Sequence, residues 1–373
     1  MSAGMEIQLI AVFVAVACAL PGTFLVLRKM SMMSDAITHT ILLGIVIAFF
    51  ITHDLNSPYL MLGATLIGLV TVWLTEMLSK TQLVAEDSAI GVVFPLLFSV
   101  AIILISKYAG QVHLDTDSVL LGELAFAPFD RMKVFGVDIG AKALYTSGAL
   151  LVINLSFITI FFKELKVSTF DPLLSAVMGF SPVFFHYMLM TLVSLTTVGS
   201  FDAVGSILVI AFMIAPPITA YLLTDNLKLM LVLSALIGAI SGVLGYQTAH
   251  ALDVSIAGTM AVYTGILFLI VFIVAPKRGM ISVYLRRQNQ KSIFAQTTLL
   301  LHLHNHKDKL EANVENGVAT ICNHLHWTTH KFQVVSSALC KAGKIKVENG
   351  VYKLTDLGET TLHQAVDHLL AIE

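Results

Sequence analysis

Leu9-Ile-Ala-Val-Phe-Val-Ala-Val-Ala-Cys-Ala-Leu-Pro-Gly-Thr-Phe-Leu-Val-Leu27 contains no charged side chain. As a helix, a run of about 20 such residues crosses the roughly 30 Å hydrocarbon core of a bilayer. Comparable segments follow it, so that the spans read as 5–27, 35–52, 57–79, 88–107, 142–162, 182–200, 204–224, 227–247 and 255–275. One soluble domain could not bury so many apolar helices. Composition agrees: only 12% of the 373 residues are charged, against about a quarter in soluble domains. The expected fold is an all-α polytopic membrane protein of eight or nine spans over residues 1–282, with a different domain at 283–373. The leader before the first run carries Glu6 and no lysine or arginine, which argues against a secretory signal. A net charge of −2 points to no strongly charged partner.

Loop charges give an orientation, because lysine and arginine concentrate on the cytoplasmic side. With the N-terminus outside, inner loops carry Arg28, Lys29, Lys80, Lys163, Lys166, Lys228, Lys277 and Arg278, and outer ones Lys107, Arg131, Lys133 and Lys142. The tail is then cytoplasmic. Gly238 and Gly242 form a small-xxx-small face suited to close helix packing.

The tail changes character. It holds ten lysines and arginines, eight acids and eight of the 13 histidines. Helices are expected at 292–306, 316–326, 330–342 and 356–371. A hairpin before the last turns at Asn349-Gly350 within the alternating stretch Lys344–Leu354. Helices followed by such a hairpin describe a small α+β winged-helix-like domain. Its near-neutral charge argues against nucleic acid as a partner.

Two stretches could carry chemistry. In Ser34-Asp35-Ala-Ile-Thr-His39, a carboxylate and an imidazole four residues apart share one helical face. The combination suits manganese, iron or zinc; the plainer alternative is a helix cap beside a packed histidine. In Phe170-Asp171-Pro172-Leu-Leu174…Gly179-Phe180, Asp-Pro starts a short helix and glycine ends it. Its apolar residues Leu173, Leu174, Val177 and Phe180 would bury into a membrane surface or a cytoplasmic partner. No phosphate-cradling GxxxxGK[ST] loop or HExxH is present. No enzyme chemistry and no permanently bound cofactor are expected, and an ATPase would be a separate chain. Cys18, Cys322 and Cys340 form no CxxC spacing.

Phe24-Leu-Val-Leu-Arg-Lys-Met-Ser, Ser34-Asp-Ala-Ile-Thr-His, Glu86-Asp-Ser-Ala-Ile-Gly-Val-Val-Phe, His113-Leu-Asp-Thr-Asp-Ser-Val-Leu-Leu-Gly-Glu123, Phe170-Asp-Pro and Val204-Gly-Ser-Ile-Leu-Val-Ile…Ala215-Pro-Pro together resemble the ABC-3 permeases, importers of zinc, manganese or iron. The order is kept over about 5–282. The resemblance implies a bacterial cell-membrane permease that pairs with a second copy or paralogue and sits in membrane lipid. It further implies docking of a cytoplasmic ABC ATPase through residues 164–180 and receipt of metal from an extracellular lipoprotein. It assigns Asp35 and His39 as ligands of the transported ion, and Phe170, Asp171, Pro172 and Leu174 to ATPase coupling. The stretch His113–Glu123 is closer to manganese-type members. Leu43 stands where the family usually has proline, and Ser34 where glycine is common. The tail resembles the winged-helix part of metal-responsive repressors, which suggests an intracellular regulatory module. Two rival readings are an ion-coupled secondary carrier, which needs no docking helix, and a membrane-tethered transcription regulator.

Overall fold

The computed structural model describes residues 2–54, 57–108, 124–134, 137–307, 312–318 and 320–370. It divides into two compact units, Met1–Gly279 and Met280–Glu373.

The first unit runs α1 (Ala3–Leu27), α2 (Ser31–Thr52), α3 (Pro58–Lys80), α4 (Glu86–Tyr108), β1 (Arg131–Val134), β2 (Val137–Ala141), α5 (Lys142–Ile160), α6 (Phe162–Phe170), α7 (Pro172–Val177), α8 (Pro182–Leu223), α9 (Leu227–Leu252) and α10 (Ile256–Val274). Eight of these helices are long and apolar enough to cross a membrane. The segments read at 182–200 and 204–224 run on from one another as α8, two helical limbs that meet at a kink. That helix is broken at Gly205, whose φ of 77° and ψ of 165° suit glycine best.

The limbs of α8 fold back on each other. Phe185 packs in one cluster with Leu20 and Phe24 of α1, while a Cβ on neighbouring Gly22 would strike the backbone of Met213. In a straight helix, Phe185 and Met213 would stand about 40 Å apart. Both ends of α8 therefore lie at one end of the bundle. With seven further helices long enough to span, Ala3 and Gly279 fall at opposite ends of the bundle.

Small residues let α1 sit at the centre. Ala11, Ala15, Ala17 and Ala19 are fully buried, and Gly238 and Gly242 of α9 face Ala15 and Ala11. The Gly238/Gly242 face is thus a helix-packing surface. Asn154 of α5 donates to the carbonyl of Ala17 and to Thr196 Oγ1, each at 2.8 Å. Such interhelical bonds contribute about 0.6 kcal/mol each in lipid. A second group, α2 to α4, is pinned by a 2.8 Å hydrogen bond between Thr71 and Thr40 and by Gly44 lying on Gly63 and Ala64. With Leu43 in place of proline, α2 runs unbroken through Gly44. The β1–β2 hairpin was not anticipated. Arg131 ties it to Asp138 at 2.8 Å and to Glu6 of α1 at 3.3 Å, and both carboxylates raise the guanidinium pKa.

The second unit contains α11 (Met280–Asn305), α12 (Ala312–Glu315), α13 (Ile321–His324), α14 (Thr329–Lys341), β3 (Ile345–Glu348), β4 (Val351–Leu354) and α15 (Asp356–Leu370). Leu299, Leu303, Phe332, Val335, Leu339 and Ile345 share its core. Asn349 and Gly350 both take positive φ, 51° and 77°, the primed turn foreseen for the hairpin. Two expectations are corrected. The first helix begins at Met280 rather than 292. The expected helix 316–326 is interrupted because Gly317 bridges to Val351, and Tyr352 N–H donates to the Asn316 carbonyl at 3.0 Å. Backbone groups committed to the edge of β4 cannot also close helical turns.

Candidate metal site and docking helix

Met30 occupies the N-cap of α2, so Asp35 lies inside the helix and the capping role falls away. One turn on, His39 Nε2 stands 3.5 Å from Asp35 Oδ1, both side chains about a third exposed (30% and 35%). The imidazole stacks on Phe94 of α4, with ring centroids 5.5 Å apart, and meets the edge of Phe98. Those rings hold the histidine without consuming a nitrogen. Among the described residues, His39 is the only ion-pair partner of Asp35. A carboxylate left without cationic neighbours retains its affinity for an incoming divalent ion. One chain supplies two donors here, whereas metals of this class take four to six. Among the described residues, no group of three or more His, Cys, Asp or Glu could hold a metal, and this includes the histidine-rich tail.

The short helix foreseen after Phe170 is α7. Asp171 Oδ1 accepts the amide hydrogen of Leu174 at 2.9 Å, and Pro172 fills the first helical position. Gly179, at φ 87°, closes the helix, and Phe180 N–H donates to the Ser175 carbonyl at 3.0 Å, a Schellman ending. Leu173 and Val177 are more than 80% exposed, and Phe170 and Leu174 are also open; only Ser175 within α7 is buried. Leu173, Leu174 and Val177 thus find no cover within the chain itself. The helix offers a compact apolar cap on the side of the bundle where α1 ends.

Sequence reading missed a second acid–imidazole pair. His186 of α8 contacts Glu76 Oε1 of α3, and the other carboxylate oxygen accepts from Tyr187 at 3.1 Å and Lys80 at 3.3 Å. The partners are far apart in sequence, so no spacing signals them. The only available sign was two ionisable residues within apolar runs, which are expensive unless paired.

A sequence profile described as "ABC 3 transport family" matches residues 5–275. The chain belongs to that family. It is 43% identical over 363 residues to the "zinc transport system membrane protein TroD" of Treponema pallidum, covering 97% of this chain and 99% of TroD. The "manganese transport system membrane protein MntD" of Bacillus subtilis is 48% identical over 280 residues, covering 75% of this chain and 95% of MntD. MntD thus has no counterpart to about a quarter of this chain. Among solved structures, "PsaBC from Streptococcus pneumoniae in complex with Fab" is similar with a TM-score of 0.64 and 29% identity, over 77% of this chain and 96% of that one. The chain is therefore a membrane permease of the ABC 3 type. The motif His113–Glu123 lies outside the described residues.

Proposed function

We propose that this permease is the membrane subunit of an ABC importer carrying a divalent transition metal into the cytoplasm, with manganese favoured and zinc or iron as alternatives. The observation that carries the reading is Asp35–His39, a carboxylate–imidazole pair on a membrane helix with, among the described residues, no lysine or arginine to neutralise it. The names of MntD and TroD, both more than 40% identical to it, support the choice of metal. Two donors are too few for a site, so a second copy or a paralogue facing α2 would complete it.

A separate cytoplasmic ATPase docks on Phe170, Asp171, Pro172 and Leu174, and an extracellular lipoprotein delivers the ion. The apolar surface of α7 supports the docking, since aromatic and aliphatic anchors dominate such contacts. The loop charges support a cytoplasmic position for α7 and Gly279. The second unit, with helices leading into the β3–β4 hairpin, is a cytoplasmic winged-helix-like regulatory module.

Reconstitution into vesicles with the ATPase and binding protein tests this reading. Manganese uptake should require ATP and be indifferent to a proton or sodium gradient. Uptake driven by a gradient without ATPase would replace the importer by a secondary carrier. Phe170→Asp with Leu174→Asp should release the ATPase while the permease still inserts.

A further inference from the structure

Arg28 follows the last residue of α1, and its guanidinium is committed on three sides. Nε donates to Thr169 Oγ1 at 3.2 Å, Nη2 to Ser168 Oγ at 3.1 Å, and Nη1 to His186 Nδ1 at 3.1 Å. An imidazole nitrogen that accepts from a guanidinium carries no proton. The other nitrogen, Nε2, is then the donor, and it faces Glu76. The chain of bonds thus has one sense, from arginine through a neutral imidazole to a carboxylate. It joins α6, α1, α8 and α3. Burial lowers the Arg28 pKa to about 10, so the group remains charged at neutral pH.

The two ends of this clasp are informative. Ser168 and Thr169 immediately precede Phe170-Asp171-Pro172, the start of the exposed apolar helix. On the other side, Arg28 leads into α2 through a very short turn. Lys29 takes φ 62°, its amide donates to Val26 O at 3.1 Å, and Met30 donates to Leu25 O at 2.9 Å. Paired bonds of this kind around a left-handed residue form a Schellman ending, a stiff connection rather than a slack loop. α2 begins at Ser31 and carries Asp35 and His39.

We propose that Arg28 is a positioning residue that couples the docking segment to the metal-bearing helix. The proposal rests on the reading of Phe170–Leu174 as the ATPase contact. A shift of α6 and α7 pulls the guanidinium through Ser168 and Thr169. The stiff turn passes that pull to α2, while His186 and Glu76 pass it to α8 and α3. Saturation of the network makes it a strut rather than an ion site, because a divalent cation at Glu76 would meet Arg28 and Lys80.

The test uses the complete transporter in vesicles and reads manganese imported per ATP hydrolysed, together with ATPase retained on purification. Arg28→Gln should keep the ATPase bound and hydrolysis within about twofold, while metal per ATP falls about tenfold. Ser168→Ala with Thr169→Val, a milder change, should give a similar loss, and adding Arg28→Gln should lower the ratio no further. His186→Gln can still accept from Arg28 and donate to Glu76, so it should retain coupling; His186→Leu should lose it. An unchanged ratio in Arg28→Gln, or losses that multiply between Arg28 and the Ser168/Thr169 pair, would overturn the proposal. Loss of ATPase binding and hydrolysis in step with uptake would overturn it too, by making Arg28 merely structural. Failure of the docking reading has a different signature: the Phe170→Asp, Leu174→Asp variant would keep its ATPase.

Discussion

Asp35–His39 and Glu76–His186 are the same two functional groups at the same end of one bundle, placed in opposite surroundings. Glu76 accepts from Tyr187 and Lys80 as well as meeting His186, which is itself held by Arg28. Both carboxylate oxygens of Glu76 and both ring nitrogens of His186 are engaged, and two cations stand close by. Among the described residues Asp35 pairs only with His39, and His39 is braced by phenylalanine rings that take no hydrogen bond from it. Residue type alone does not make a cation site in a membrane helix. What matters is how much of the ligands' bonding capacity the protein leaves unspent.

The largest effect should follow from removing charge at the open pair. Asp35→Asn leaves an entering divalent cation without its counter-charge, a cost of about 3 kcal/mol or more. Manganese uptake in cells lacking other importers should fall at least about a hundredfold while membrane expression is unchanged. The matching change at the closed pair sharpens the contrast. Glu76→Gln strips the carboxylate from a network of donors and should lower the permease's stability by about 1–3 kcal/mol. Its metal binding, measured on purified protein, should equal that of the unaltered chain. If metal binding were lost with Glu76, the distinction between the pairs would break.

Smaller effects concern the scaffold. Gly205→Ala puts a side chain at φ 77°, ψ 165° and should cost about 1–3 kcal/mol, seen as a lower unfolding temperature in detergent. Removing residues 280–373 should change uptake by less than about twofold under metal-poor conditions. MntD, with no counterpart to about a quarter of this chain, is the natural comparison.

Much of this architecture was legible because lipid simplifies the reading. A helix that must satisfy its own backbone in hydrocarbon announces itself by apolar length, and α1, α3 and α4 begin and end within two residues of the expected spans. Asp171-Pro172 and Gly179 gave α7 its limits, since cap, proline and left-handed glycine each act locally. What escaped was set by partners distant in sequence. Gly317 looked like part of a helix until β4 claimed the backbone beside it. Glu76 and His186 carry no mutual spacing, and Arg28 read only as a cytoplasmic charge. Asp35 and His39 stood out because one helical turn brings them together without help from the fold, whereas the openness that distinguishes them is a property of their neighbours.

The most direct test of that openness is manganese binding followed by electron paramagnetic resonance, on the permease–ATPase complex without ATP. Three forms are compared: the unaltered chain, the Asp35→Asn, His39→Ala variant, and His186→Gln. The first and third should bind the ion with the same stoichiometry, and the second should lose it. Retention by the Asp35→Asn, His39→Ala form, or loss in His186→Gln, would contradict this.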